Sequence, residues 1–432
     1  MSDKELFLTV VGGTKRVGAL NCYLLHSEDV VVMIDCGLGL EKRGKENIKV
    51  YPPFAKYHNM LGQLDAIFIS HGHLDHVGAL HSLDTFLWEH GLSKPHAFMG
   101  QFTFEIADRH SQWERNKKLF FPHRLFQFGK EEKIKFSSCV VQTIPVLHSI
   151  PDAYSFLFTM NGKKIYYAGD FRFIAPDAHQ VTAFQKRIER LGKKEHIDYA
   201  CIECTNVFET EVDSEKKALT CIEEIITQTP GRIIFTTFST HVDRYKFVAD
   251  VARRQKRQMY SAGGNIAFMF DAMGISAKRA SEEHVMDAHA IVCATGSQAE
   301  SESALIRALY NSEKSEFALR PTDTVIISAD PIPANGIEED VCTMVSDLLG
   351  KVQAVYINED APDYFPKEAI RRKIHASGHG KRQDLIWMID TLHPKTVIPI
   401  HGDRTKREAL AEIARDRGLN SLLIEEGEIV SL

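Results

Sequence analysis

The sequence predicts an α/β fold whose apolar strands end on polar, chemistry-bearing residues. Three observations carry this expectation. Short β-rich runs alternate with amphipathic helical patterns from end to end, the pattern of a layered α/β protein. One apolar strand, Ala66-Ile67-Phe68-Ile69, leads directly into His71-Gly72-His73-Leu74-Asp75-His76. Between two later strand-end residues, Asp170 and His401, lie 230 residues, room enough for an inserted second domain.

The elements follow in order. Strands are expected at 30–35, 65–70, 140–148 and 198–204, and a pair at 154–160 and 164–168 flanks Asn161-Gly162. That dipeptide is the strongest two-residue hairpin signal. A second series opens with a helix at 214–228. It continues with strands at 232–238, 290–294 and 324–329 and a helix at 243–255. A closing series has a helix at 382–392, a strand at 396–400, a helix at 405–417 and a strand at 422–424. No Gly/Ser linker or repeat separates the blocks, so the domain boundaries have to come from where the chemistry lies.

Bulk properties exclude several classes. Hydrophobic residues make up 44% and charged residues 25% of 432 residues, the balance of an ordinary globular protein. No run of eighteen apolar residues exists, which argues against a membrane span. The charged start, Met1 to Glu5, lacks the apolar core of a signal peptide, and the expected location is the cytoplasm. Eight cysteines are sparse and irregular, and Cys201 and Cys204 read as buried thiols rather than half of a zinc site. A net charge of −6 does not advertise a nucleic-acid binder. Local basic clusters at Arg253-Arg254-Gln255-Lys256-Arg257, Arg371-Arg372-Lys373 and Lys381-Arg382 leave one open.

His71, His73, Asp75 and His76 place four ligand-type residues in six positions at the C-terminal end of a strand, where α/β sheets put their sites. Chance delivers such a cluster on the order of a few times in a thousand chains. In extended backbone His71 and His73 point the same way, while Asp75 and His76 fall on the turn into a helix and can face a second ion. Further candidates stand at strand ends: His148, Asp170 and His401. Two ions about 3.5–4 Å apart can share a hydroxide nucleophile. Imidazole suits zinc and carboxylate tolerates manganese, so two divalent ions, Zn²⁺ with Mn²⁺ as the alternative, are expected.

These ordered motifs resemble the metallo-β-lactamase superfamily. The resemblance implies an αββα sandwich in which His71, His73 and His148 hold one ion, Asp75, His76 and His401 the other, and Asp170 bridges them. The insertion resembles the β-CASP family of nucleases, of the RNase J type. Glu203-Cys204-Thr205-Asn206 is similar to its motif A. Phe238-Ser239-Thr240-His241-Val242-Asp243-Arg244, Ala294-Thr295-Gly296-Ser297-Gln298 and 326–333 are similar to further signatures, and His375-Ala376-Ser377-Gly378-His379-Gly380 to motif C. The implied fold is a metallo-β-lactamase domain from residues 1–208 and 358–432, with an α/β β-CASP domain at 209–357. By the same resemblance Asp75, Glu203 and His379 are catalytic, with His379 the proton donor to the leaving 3′-oxygen and Glu203 orienting a neighbouring His. Ser239, Arg244, Ser297, His375 and Ser377 are then substrate-binding. The implied activity is metal-dependent hydrolysis of single-stranded RNA, endonucleolytic, 5′-to-3′ exonucleolytic or both, with RNA threading a positively lined cleft.

Three departures from the family pattern stand out. Gly264 occupies the place of an Arg near the 5′-nucleotide pocket, which puts 5′-monophosphate selectivity in question. Cys204 stands where Ser is usual. The chain stops 31 residues after His401, without the family's C-terminal domain, and this leaves both a monomer and a homodimer open. Two alternatives keep the fold: a β-CASP DNA nuclease, and a hydrolase of small esters or cyclic nucleotides. A third is a binding protein with a degenerate site, although every expected ligand type is present.

Overall fold

A computed structural model describes residues 5–18, 20–43, 46–211, 214–282, 287–332 and 336–432. Met1 to Lys4 and Pro333, both used above, lie outside the described residues. The chain divides into two compact units, Met1–Val212 with Gly378–Leu432, and Asp213–Ser377.

The first unit contains two seven-stranded sheets. One runs Ile429–Ser431, Phe7–Gly12, Cys22–His26, Val31–Ile34, Leu64–Phe68, His96–Gly100 and His123–Phe126. The other runs Asn420–Ser421, Thr396–Ile400, Tyr199–Glu203, Lys163–Tyr167, Tyr154–Met160, Cys139–Pro145 and Lys133–Phe136. Alternate residues of both sheets meet in one core that includes Leu8, Val32, Phe68, Val141, Phe158 and Ile398. Phe68 joins the layers: its ring stacks on Phe98 at 4.7 Å and meets Phe156 and Phe158 edge-on at 5.6 and 5.7 Å. Each such pair contributes about 0.5–1.5 kcal/mol beyond area burial, and it anchors the strand that ends on the histidine cluster. The outer face of the second sheet is covered by Ala178–Lys194, Arg382–Leu392 and Arg404–Arg415 through a second core that includes Phe184, Leu385 and Leu410.

The hairpin signal is realised as expected. Asn161 and Gly162 both take left-handed backbone, φ 49° and 76°, and Cys139–Pro145 and Lys163–Tyr167 flank Tyr154–Met160 in antiparallel register. Helix starts follow their caps. Asp177, Ser214 and Asp403 each accept a backbone N–H of the first turn, as short polar side chains do at that position. The strand expected at 422–424 is instead Asn420–Ser421, and the strand before His148 stops at Pro145. His148 is therefore carried by the loop that follows.

The second unit is a single seven-stranded parallel sheet ordered Lys278–Arg279, Met259–Ala262, Ile291–Ala294, Ile233–Thr236, Thr324–Ile327, Ala354–Asn358 and Ile370–Arg372. Separate apolar cores cover its two faces, so its central strands are apolar on both sides, as doubly covered parallel strands are. The boundary expected between 357 and 358 falls too early. Ile370–Arg372 still pairs with Ala354–Asn358, and the chain leaves this unit only at Ser377. A three-residue edge strand with two arginines carries no apolar run to announce it.

Candidate metal centre

The first unit's strands converge their C-terminal ends on one cluster. His71 follows Leu64–Phe68, His148 follows Cys139–Pro145, Asp170 follows Lys163–Tyr167, Glu203 ends its own strand and His401 follows Thr396–Ile400. Asp75 and His76 lie on the four-residue helix Leu74–Val77, with His73 in extended backbone just before it.

Ring nitrogens and carboxylates meet at close range. His73 Nδ1 lies 3.0 Å from His71 Nε2 and 3.0 Å from His148 Nε2. His401 Nε2 lies 3.0 Å from Asp75 Oδ2, and His76 Nε2 lies 3.5 Å from the same oxygen. Asp170 Oδ2 lies between the two sets, 3.2 Å from His76, 3.5 Å from His71, 3.7 Å from His401 and 3.8 Å from His148. His71, His73, His148 and Asp170 form one group able to hold an ion, Asp75, His76 and His401 a second, and Asp170, Glu203, His379 and His401 a third.

Asp170 supplies the test of fit. The residue is 2% exposed, and neither of its carboxylate oxygens finds a hydrogen-bond partner. A buried carboxylate without donors is strongly unfavourable unless a cation neutralises it. The residues fit divalent metal ions.

Hydrogen bonds on the far side of each ring set its orientation and tautomer. His76 Nδ1–H donates to Asp35 Oδ2 at 2.7 Å and His148 Nδ1–H to the Gly378 carbonyl at 2.6 Å. Ser70 Oγ–H donates to Asp35 Oδ2 at 2.8 Å, so it accepts from His71 Nδ1–H at 3.0 Å. Thr205 Oγ1 lies 2.9 Å from His401 Nδ1. Nε2 of His71, His76 and His148 is thereby left to face the centre, the arrangement that raises ligand basicity.

Electrostatics agree. Burial, reinforced by neighbouring rings, holds His71 and His148 well below the usual imidazole range, and burial takes His73 down to about 4. All three rings are held in the neutral form that a metal ion requires. Burial opposes charge on His76, but Asp170, Asp75 and Asp35 together lift it well above its ordinary value. Burial likewise works against the Asp170 carboxylate, yet His401 and His76 hold it well below the carboxylate range.

His379 stands beside this cluster. Its Nδ1–H donates to Glu203 Oε2 at 3.0 Å and lies 3.8 Å from Asp170 Oδ2. Burial would lower its pKa, but Glu203 and then Asp170 raise it to about 9. Glu203 is itself fully buried and also accepts the Thr205 N–H at 3.3 Å. The structure thus brings together Asp75, Glu203, His379 and all seven expected metal-ligand positions.

The substrate-binding expectations fare unevenly. Ser239 and Ser297 lie just beyond the C-terminal ends of the second unit's strands Ile233–Thr236 and Ile291–Ala294, half-buried and buried respectively. Arg244 is fully buried, and its five N–H groups are engaged inside the unit by Glu215, Ser328, His375 and the Ala376 carbonyl. His375 is buried against Arg244 and the Ser328 carbonyl. In this state Arg244 and His375 hold the segment leading to Ser377, which is half-buried, rather than presenting donors to a ligand. Gly264 begins the helix Gly264–Met273. The N–H of Gly263 before it is taken by Glu316 at 2.9 Å, whose carboxylate also pairs with Arg307.

The sequence reading gives no site role to Asp35, Ser70 or Thr205. Asp35 has the same signal as the ligands, an acidic residue closing a buried strand, Val31–Ile34. It accepts from Ser70 N–H, Ser70 hydroxyl, His76 and the Tyr167 hydroxyl at 2.5–2.8 Å. Its φ of 57°, like the 55° of His401, is left-handed, a strain that persists where surrounding bonds over-determine it. Asp35→Ala is expected to lower metal affinity about 10–100-fold, read by zinc competition with a chromogenic chelator. Unchanged competition would show that His76 needs no such anchor.

Three family models match the chain: "Beta-lactamase superfamily domain" over residues 31–190, "Ribonuclease J, beta-CASP domain" over 230–348, and "Zn-dependent metallo-hydrolase RNA specificity domain" over 366–423. The chain combines a metallo-β-lactamase domain with a β-CASP domain. Among its β-CASP relatives, the Ribonuclease J of Mycoplasma genitalium is 27% identical over 454 residues, covering 100% of this chain and 74% of the relative. The Ribonuclease J of Sinorhizobium meliloti is 26% identical, covering 100% and 75%. Ribonuclease J2 of Bacillus subtilis is 24% identical, covering 99% and 75%. A crystal structure of a protein of unknown function from Enterococcus faecalis shares the fold, with a TM-score of 0.66 at 16% identity over 99% of this chain and 100% of that one. The β-CASP match lies inside the second unit, and the RNA specificity match includes Ser377, His379 and His401. Among the described residues no helix is long and apolar enough to cross a membrane.

Proposed function

We propose that this chain is a ribonuclease that hydrolyses phosphodiester bonds of single-stranded RNA with two divalent ions, zinc in the native protein. The observation that carries the reading is Asp170, a buried carboxylate with no hydrogen-bond partner set among four imidazole Nε2 atoms. The RNA specificity match over residues 366–423 and the Ribonuclease J relatives supply the polymer. Five imidazoles against two carboxylates favour zinc over manganese. His71, His73 and His148 would hold one ion, Asp75, His76 and His401 the other, with Asp170 between them. With RNA as its substrate, the enzyme is read as cytoplasmic.

The ions supply Lewis acidity and an activated water. The chain's own residues do the remainder. Asp35, Ser70, Thr205 and the Gly378 carbonyl lock the ligand rings, so no reorganisation accompanies reaction. Glu203 orients His379 and supports its charged form, and His379 delivers a proton to the leaving 3′-oxygen. Ser239, Ser297 and Ser377 offer hydroxyls to phosphate oxygens, the first two at the strand ends where doubly wound sheets take ligands.

The test is cleavage of end-labelled single-stranded RNA and of matched DNA by the zinc-loaded chain, before and after exhaustive chelation. RNA cleavage is expected, abolished by the chelator and restored by zinc. Intact RNA under all conditions would overturn the reading, and DNA turned over faster than RNA would redirect it to a DNA nuclease.

A further inference from the structure

Asn21 has no role in the preceding account, yet its side chain reaches the metal centre. It is fully buried at the start of the strand Cys22–His26. Its Nδ2 lies 3.1 Å from His76 Nε2 and 3.3 Å from Asp75 Oδ2. These are the same two atoms that approach Asp170 and His401. On its other side Asn21 Oδ1 accepts the Tyr23 hydroxyl at 3.1 Å. With the carbonyl oxygen engaged there, the amide nitrogen is the end turned toward the ligands.

The surroundings are shaped to this pair. Gly13 has φ 97°, and a Cβ there would fall 2.3 Å from Tyr23 Oη and 2.7 Å from Asn21 Oδ1. The main chain is pinned separately: Asn21 N–H donates to the Asp75 carbonyl at 2.9 Å, and Gly37 N–H donates to the Asn21 carbonyl at 2.9 Å. Backbone placement therefore does not depend on what the side chain does.

An amide NH₂ donates and does not bind cations. Next to a carboxylate oxygen and an imidazole nitrogen that both face an ion, it acts one step removed from the metal. We propose that Asn21 is a positioning residue for Asp75 and His76. Its amide donates to Asp75 Oδ2 and fixes how that carboxylate is presented to the ion shared with His76 and His401, while Tyr23 sets which end of the amide faces inward. This rests on the metal-centre reading above. It assigns to the second ion a hydrogen-bonded carboxylate of the kind whose loss weakens metal binding about 10–100-fold.

The experiment uses the full chain and the variants Asn21→Ala, Asn21→Asp and Tyr23→Phe. Bound zinc is counted by mass spectrometry, affinity is measured by competition with a chromogenic chelator, and folding is followed by circular dichroism with and without zinc. Asn21→Ala keeps both main-chain bonds and should fold, retain one zinc tightly and bind the second about 10–100-fold more weakly. Tyr23→Phe should shift affinity in the same direction by less. Asn21→Asp sets a carboxylate against Asp75, so its zinc-free form should melt below the wild type's. Zinc should then raise its Tm by more than it raises the wild type's. A residue that only fills space would lower both midpoints together and leave the zinc shift unchanged. Wild-type competition curves for Asn21→Ala, or an ordinary zinc shift for Asn21→Asp, would overturn the proposal. A wild-type chain that binds no zinc is a different failure, and it would remove the metal-centre reading itself.

Discussion

Asp170→Ala is expected to strip the protein of bound zinc and to lower RNA cleavage by about a thousandfold or more, as several kcal/mol of charge stabilisation disappear. The substitution removes the carboxylate common to both halves of the centre, 3.2–3.8 Å from four ring nitrogens that no other acidic oxygen approaches together among the described residues. Asp170→Asn should fail almost as badly, because an amide keeps the shape and loses the charge. Zinc per chain by mass spectrometry and single-turnover cleavage of labelled RNA check both variants. Two zinc ions retained with cleavage within tenfold of the wild type would show that Asp170 does not join the two ions. The folded protein also offers a readout without substrate. Zinc should raise the wild-type Tm by mass action and leave that of Asp170→Ala almost unmoved.

His379→Gln should behave in the opposite way toward metal. Cleavage is expected to fall about 10²–10⁴-fold, the range of a lost general acid, with zinc content unchanged, since the two residue sets proposed to hold the ions do not include His379. Loss of zinc would instead point to the group Asp170, Glu203, His379 and His401. Its ring is held by Glu203 at 3.0 Å, so Glu203→Gln should reproduce part of the loss. A substrate with sulfur in place of the scissile 3′-oxygen separates the roles, because a thiolate departs without needing a proton. That substrate should narrow the gap between His379→Gln and the wild type. An equal gap on both substrates would mean that His379 does something other than protonate the leaving group.

Legibility in the sequence followed the physics of each residue. His71, His73, His148, Asp170 and His401 stand at or just after the ends of strong apolar strands, and strand ends announce themselves by where hydrophobic alternation stops. Their partners do not. Asp35 reaches His76 across 41 residues and Thr205 reaches His401 across 196, distances at which no local pattern marks a contact. Asn21 is similarly silent, 55 residues from His76. Arg244 was legible as a motif residue but its burial was not, because resemblance transmits residue type and not surroundings. The edge strand Ile370–Arg372 escaped because an edge needs few apolar side chains, and the expected domain boundary moved with it.

The centre is completed by a residue that is made only after the inserted unit. His71 to Asp170 are made before any of the inserted unit, and His401 follows Asp170 by 231 positions. At translation speeds of 5–20 residues per second, that interval is roughly 10–50 s. Throughout it a growing chain holds six of the seven expected metal-ligand residues and lacks His401, and His379 joins only 22 residues before the end of that interval. A centre ordered in this way stays incomplete until the inserted unit has been made.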